Sequence, residues 1–107
     1  MSEAPSRKPI ERLLRPRSIA IVGASAEPGA PGARVLANLE AVGFPGEIHL
    51  VTRRVAEING RRCVPTIADL PRGIDAAVLI VPEAAVGDAI AGCVERGIGG
   101  VALFSAG

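Results

Sequence analysis

The chain has 107 residues, room for one domain, and 49% of them are hydrophobic against 21% charged, so it carries enough apolar content to build a core and is not a disordered chain. Its only aromatics are Phe44 and Phe104, which excludes a platform that stacks bases. Twelve basic residues against 11 acidic ones leave a net charge of +1, without the basic excess that non-specific nucleic-acid binding needs.

Residues 1–9 are polar and carry two prolines, and read as a flexible tail. Ile10, Leu13 and Leu14 have helical spacing, so one helical turn is expected before Pro16 stops it. Ser18 to Ala24 is a short apolar run with β-branched residues, which predicts a strand buried on both faces. A loop over 23–32 follows, with three glycines and two prolines. A helix is expected over 33–42, with Val35, Leu36, Leu39 and Val42 on one stripe and Gly43 as its stop.

Glu47 to Thr52 predicts a second strand, and 53–62 reads as a basic loop. A very short strand is expected around Cys63 and Val64. Thr66 and Asp69 have capping-box spacing, so Pro65 to Leu70 predicts a brief helix. Ala76 to Val81 is a further buried strand ended by Pro82. Glu83 to Arg96 predicts a helix with Val86, Ile90, Cys93 and Val94 on one face, ended by Gly97. Gly100 to Ser105 is the last strand. Apolar strands alternating with amphipathic helices define an α/β fold: a small parallel sheet of four to five strands covered on both faces. Residues 10–107 form that domain.

The loop Gly23-Ala-Ser25-Ala-Glu-Pro-Gly29-Ala-Pro-Gly32 lies where a strand feeds a helix. There a doubly wound fold offers free N–H groups and the positive end of a helix dipole to a phosphate. Gly23 permits the tight turn, and Gly29 and Gly32 allow close backbone approach. Ser25 stands where a dinucleotide fingerprint has its second glycine and offers a hydroxyl instead. Without a ligand the loop would be a glycine-rich connector. After the second strand, where nicotinamide enzymes place an acid for the ribose, the chain has Thr52-Arg53-Arg54. A guanidinium cannot accept hydroxyl protons but grips a phosphate with two hydrogen bonds. That favours a ligand with a phosphate on or near its ribose, which fits both coenzyme A and NADP. The competing reading is a solvated basic loop.

Nothing else gathers into a catalytic team. His49, the single histidine, sits mid-strand and reads as structural. Cys63 and Cys93 read as small buried hydrophobes rather than nucleophiles. Two cysteines so placed cannot form a disulfide framework and, with one histidine, cannot complete the usual zinc site. A reducing, cytoplasmic setting is expected. The apolar runs are about six residues, far short of a membrane span, and the polar start carries no secretion signal. Pro82 would shape a ligand wall or simply open the helix after it.

Four segments in order resemble one family. These are Leu13-Leu14-Arg-Pro-Arg-Ser-Ile-Ala-Ile-Val-Gly-Ala-Ser25, Pro65-Thr-Ile-Ala-Asp-Leu-Pro71, Ile74-Asp-Ala-Ala-Val-Leu-Ile-Val-Pro82 and Gly97-Ile-Gly-Gly-Val-Ala-Leu-Phe-Ser-Ala-Gly107. Together they are similar to the N-terminal coenzyme A-binding domain of NDP-forming acyl-CoA synthetases, relatives of the succinyl-CoA synthetase alpha subunit. The resemblance covers residues 10–107.

It implies a Rossmann-like domain holding coenzyme A at the carboxyl ends of its strands. Gly23, Ala24, Ser25 and Gly29 would hold phosphate. Thr52, Arg53 and Arg54 match the family's Asn/Thr-Pro-Lys stretch, so the charge survives while the proline does not. Val81 and Pro82 would line the cleft, and Ser105 would lie near the pantetheine arm. The resemblance further implies a domain of an ADP-forming acid–thiol ligase, silent alone, with the reactive histidine elsewhere and His49 unrelated to it. A fusion to a protein-lysine acetyltransferase is compatible too. The other readings are an NAD(P)-binding domain of an oxidoreductase or redox sensor, and a standalone coenzyme A module. Expected partners are coenzyme A or acyl-CoA and further domains of one enzyme, with neither nucleic acid nor membrane. If such domains cover part of the sheet, the isolated piece would expose apolar surface and form homo-oligomers.

Overall fold

The structure, a computed structural model, describes residues 9–104. The expected tail therefore falls almost wholly outside the described residues, and Ser105 lies outside them too. The elements in order are α1 (Pro9–Leu14), β1 (Ser18–Val22), α2 (Pro31–Ala41), β2 (Glu47–Val51), β3 (Glu57–Ile58), β4 (Arg61–Val64), β5 (Ala76–Leu79), α3 (Val86–Glu95) and β6 (Gly100–Leu103). Single 3-10 turns occupy Ile67–Asp69 and Glu83–Ala85.

One sheet has the order β3-β4-β2-β1-β5-β6. Every pairing from β4 to β6 is parallel, and β3 joins β4 antiparallel at the edge. The expected parallel sheet is thus present with five strands, and a sixth forms inside the segment read as a basic loop. The cause is local. Asn59 and Gly60 both take positive φ, 52° and 79°, the pair of left-handed residues that closes a tight hairpin. Arg61 then donates from Nε to Glu40 Oε2 at 3.0 Å, and Asn59 from Nδ2 to Glu40 Oε1 at 3.2 Å, tying the hairpin to the end of α2.

Alternation along the strands splits the core into two layers. Ile21, Leu50 and Cys63 face α2 through Leu36, and Ala20, Val22, Val51, Ala77 and Leu79 face α3 through Ala89 and Cys93. Both helices end as their glycines predict. Gly43 and Gly97 take left-handed φ, and the N–H of Phe44 donates to Leu39 O and that of Ile98 to Cys93 O. The Thr66–Asp69 pair forms as expected, with the Thr66 N–H and hydroxyl both donating to Asp69 Oδ2.

The helix faces differ from the expected stripes. Val42 is exposed, since it is the C-cap of α2 and no longer on its buried side. On α3 the small residues Ala89 and Cys93 meet the sheet, and Val94 is 71% exposed. The small side chains take the sheet-facing positions of α3, Gly92 lies against Ile67 of the first 3-10 turn, and Val94 stays outward.

Ile10 and Leu14 of α1 and Leu103 of β6 are also more than half exposed. Self-association at high concentration is therefore expected, as a sedimentation coefficient that rises across a concentration series. A coefficient that stays at the monomer value would contradict it. Among the described residues no helix is long and apolar enough to cross a membrane.

Candidate functional site

In this strand order the chain leaves β1 in one direction for β2 and β4, and later returns on the other side for β5 and β6. The carboxyl ends of β1 and β5 therefore splay their connections apart, which is where open α/β sheets bind ligands. A crevice of about 240 Å³ opens there, lined by Gly23, Ala24, Ser25, Glu27, Ala30, Pro31, Gly32, Thr52, Arg54 and Ile80. A narrower cleft of about 70 Å³ adjoins it and shares Ala24, Ser25, Glu27, Thr52 and Arg54.

The floor is fixed by backbone. The N–H groups of Gly23 and Ala24 both donate to Val51 O, at 3.0 and 3.1 Å, and the Ile80 N–H donates to Val22 O at 2.8 Å. Gly23 and Ala24 thus give the loop its shape but have no N–H to spare for a ligand. A Cβ on Gly32 would sit 2.2 Å from Gly23 O, so Gly32 lets α2 pack onto the end of β1. Gly29 also has positive φ but has open space around it. It lines a separate groove of about 330 Å³ on the side of the loop toward β3.

The amino end of α2 borders the crevice. Its N-cap is Ala30, with no side-chain cap, and Pro31 opens the first turn. The N–H groups of Gly32 and Ala33 lie in that turn, where no intrahelical acceptor exists. No acidic residue occupies the turn to compete for the dipole. Ser25 Oγ accepts the Glu27 N–H at 3.0 Å, which leaves its own proton to donate.

The two arginines after β2 part company. Arg54 lines both crevice and cleft. Arg53 instead directs Nε to Pro65 O at 3.4 Å, across the loop. Thr52 Oγ1 accepts the Arg54 N–H at 3.2 Å, so a side-chain turn shapes this loop without a proline. On the β5 side the lining residue is Ile80. Val81 packs into the α3 layer, and Pro82 is exposed with its carbonyl accepting the Ala85 N–H at 2.8 Å.

Sequence reasoning passed over Glu27 and Ile80 as site residues. A search for an acid confined to the end of β2 cannot find Glu27. Gly32 was visible as a third loop glycine, and Ile80 carries no signal of its own.

The remaining chemistry-bearing groups sit apart from the crevice. His49 is half-buried on β2 and its Nε2 pairs with Glu47 Oε1 at 3.0 Å. Cys63 and Cys93 are buried in opposite layers. Burial raises both thiol pKa values, with the Glu57 carboxylate adding to the rise at Cys63, so neither is a ready thiolate.

A doubly wound sheet with a crevice at its switch point, bordered by an uncapped helix start and one guanidinium, is the layout of a Rossmann-like α/β domain. Residues 17–107 match the CoA binding domain family, and the chain belongs to it. It is 43% identical over 102 residues to a trans-feruloyl-CoA synthase from an unknown prokaryotic organism, covering 95% of this chain and 14% of that one. It is 37% identical over 95 residues to the ADP-forming acetate–CoA ligase II of Archaeoglobus fulgidus, covering 89% and 14%. Among solved structures it superposes on the dinucleotide-forming acetyl-coenzyme A synthetase 1 of Candidatus Korarchaeum cryptofilum, in complex with phosphate and ADP. That match has a TM-score of 0.85 and 35% identity, and covers 92% of this chain and 21% of that one. The chain is a CoA-binding domain related to ADP-forming acyl-CoA synthetases and spans only 14–21% of the length of these relatives.

Proposed function

We propose that this domain binds coenzyme A in the crevice between β1 and β5, as the cofactor-holding part of an ADP-forming acyl-CoA ligase. The observation that carries the reading is Arg54, a guanidinium lining the cleft where nicotinamide enzymes place an acid. It takes the 3′-phosphate on the ribose through charge-assisted hydrogen bonds. The pyrophosphate lies over the start of α2, on the Gly32 and Ala33 N–H groups and the Ser25 hydroxyl, with Gly23, Ala24 and Gly29 shaping the loop beneath it.

Thr52 holds the turn that presents Arg54, and Arg53 pins that loop to Pro65. Ile80 forms the opposite wall. The domain contributes binding and orientation: it holds the thiol end of the cofactor toward the parts of a larger enzyme that carry the acyl-transfer chemistry. Coenzyme A, acyl-CoA and those further domains are its partners.

Calorimetry with coenzyme A and dephospho-coenzyme A tests this. The wild-type chain should prefer coenzyme A, and Arg54→Ala should cut its affinity about 30-fold, the worth of a charged hydrogen-bonded pair, while removing the preference. Arg53→Ala should cost only a few-fold, since it acts through the loop. Equal affinity of the wild type for the two ligands would overturn the assignment of Arg54.

A further inference from the structure

The crevice holds an acid as well as a base. Glu27 lines both the 240 Å³ crevice and the 70 Å³ cleft beside Arg54. Its backbone is pinned at both ends: its N–H donates to Ser25 Oγ and its carbonyl accepts the Ala30 N–H at 3.1 Å. Its carboxylate has no hydrogen-bond or ion-pair partner among the described residues. Arg54, so near, does not pair with it within 4.0 Å. An isolated carboxylate at a site that attracts anions weakens that attraction, so it calls for a compensating contact.

We propose that Glu27 accepts the free 2′-hydroxyl of the ribose whose 3′-phosphate Arg54 holds, so that the acid–base pair selects a ring bearing a hydroxyl and an anion side by side. This rests on the coenzyme A reading above. Arg54 cannot accept a proton. Ser25 Oγ and Thr52 Oγ1 each already accept a backbone N–H. Glu27 is the one carboxylate among the residues lining both crevice and cleft. The ribose carboxylate that dinucleotide-binding folds draw from the end of the second strand comes here from the first loop.

The sign of a neutralising variant separates this role from a bystander's. A bystander carboxylate repels a polyanionic ligand, so removing its charge tightens binding. An acceptor carboxylate lost to an amide weakens binding to the hydroxylated ligand alone. Calorimetry should use adenosine 3′,5′-bisphosphate and its 2′-deoxy form, each against wild type, Glu27→Gln and Glu27→Asp. The wild type should bind the deoxy ligand about tenfold more weakly, the worth of a hydrogen bond to a charged group. Glu27→Gln keeps a weaker amide acceptor, so it should bind the ribose form about threefold more weakly than wild type does and shrink the gap between the two ligands to about threefold. Glu27→Asp, which keeps the carboxylate, should retain part of the discrimination.

Glu27 is exposed, and matching thermal midpoints would show that the variants fold. The same ligand ratio in wild type and Glu27→Gln, or tighter binding of both ligands by Glu27→Gln, overturns the proposal. Coenzyme A binding by the wild type in that case keeps the broader reading intact. Failure of the wild type to bind coenzyme A at all would remove both.

Discussion

Gly23→Ala should cost the domain about 4 kcal/mol, a large share of the stability of a chain this size. Two penalties coincide at this residue. Its φ of 99° belongs to a region that L side chains rarely enter, and a Cβ there would lie 2.1 Å from Ile80 O. That carbonyl cannot move away freely, because the Ile80 N–H is bonded to Val22 O and holds the end of β5 against β1. The methyl therefore pushes apart the two strand ends that define the crevice. A urea midpoint lowered by about 2–3 M is the expected result. Gly29→Ala supplies the control. Its φ of 91° is as unusual, but nothing lies within 4 Å of the added carbon, so only the backbone penalty of about 1 kcal/mol applies. Equal losses for the two variants would mean that close approach at Gly23 contributes nothing.

The contrast also shows what the sequence carries. Both glycines are plain in the loop, yet only the neighbouring strand end distinguishes them, and that end comes from residues more than fifty positions later. The strands β1, β2, β5 and β6 and the helices α2 and α3 are legible because their signals are local: continuous apolar runs and a glycine after each helix. Strand β3, and with it the hairpin that leads into the expected strand β4, is hidden by composition. Four arginines in ten residues suggest a solvated loop, while the Asn59-Gly60 turn inside it states the opposite.

That Ala89 and Cys93 rather than Val94 face the core is set by tertiary packing, which the apolar spacing of α3 does not record. At the site, the presence of a guanidinium after β2 is legible, but which arginine supplies it is not. Arg53 is diverted by a carbonyl twelve residues away. Glu27 escapes because its acid sits in the first loop rather than the second.

Asp75→Ala should destabilise the domain by about 3 kcal/mol, the low end of the cost of removing one partner from a buried charged pair, since Arg12 keeps some exposure to water. Asp75 is 8% exposed and lies at the rim of the sheet opposite the crevice, just before β5. Its Oδ1 accepts Arg12 Nε at 2.8 Å and its Oδ2 accepts the Arg17 N–H at 2.7 Å. Its own N–H donates to Ser18 Oγ at 3.0 Å. Arg12 Nη2 further donates to the carbonyls of Gly73, Ile74 and Gly97. Gly99 makes the passage for this side chain, since a Cβ there would lie 2.5 Å from Arg12 Nε.

A six-residue helix has no stability of its own, so α1 depends on this anchor and on Leu13 seated against Gly100. Truncating Asp75 leaves the guanidinium with carbonyls alone and strips the Arg17 N–H of its acceptor. Hydrogen exchange should then accelerate first in α1, while β1 and β2 keep their protection relative to global unfolding. A double-mutant cycle with Arg12→Met, which keeps the apolar stem, should return a coupling of about 2–3 kcal/mol. The cofactor affinity of the folded fraction should stay unchanged, because the anchor and the crevice occupy opposite ends of β1. Additive losses in the cycle would instead assign the stability of this rim to packing of the stem and of Leu13, and not to the charge pair.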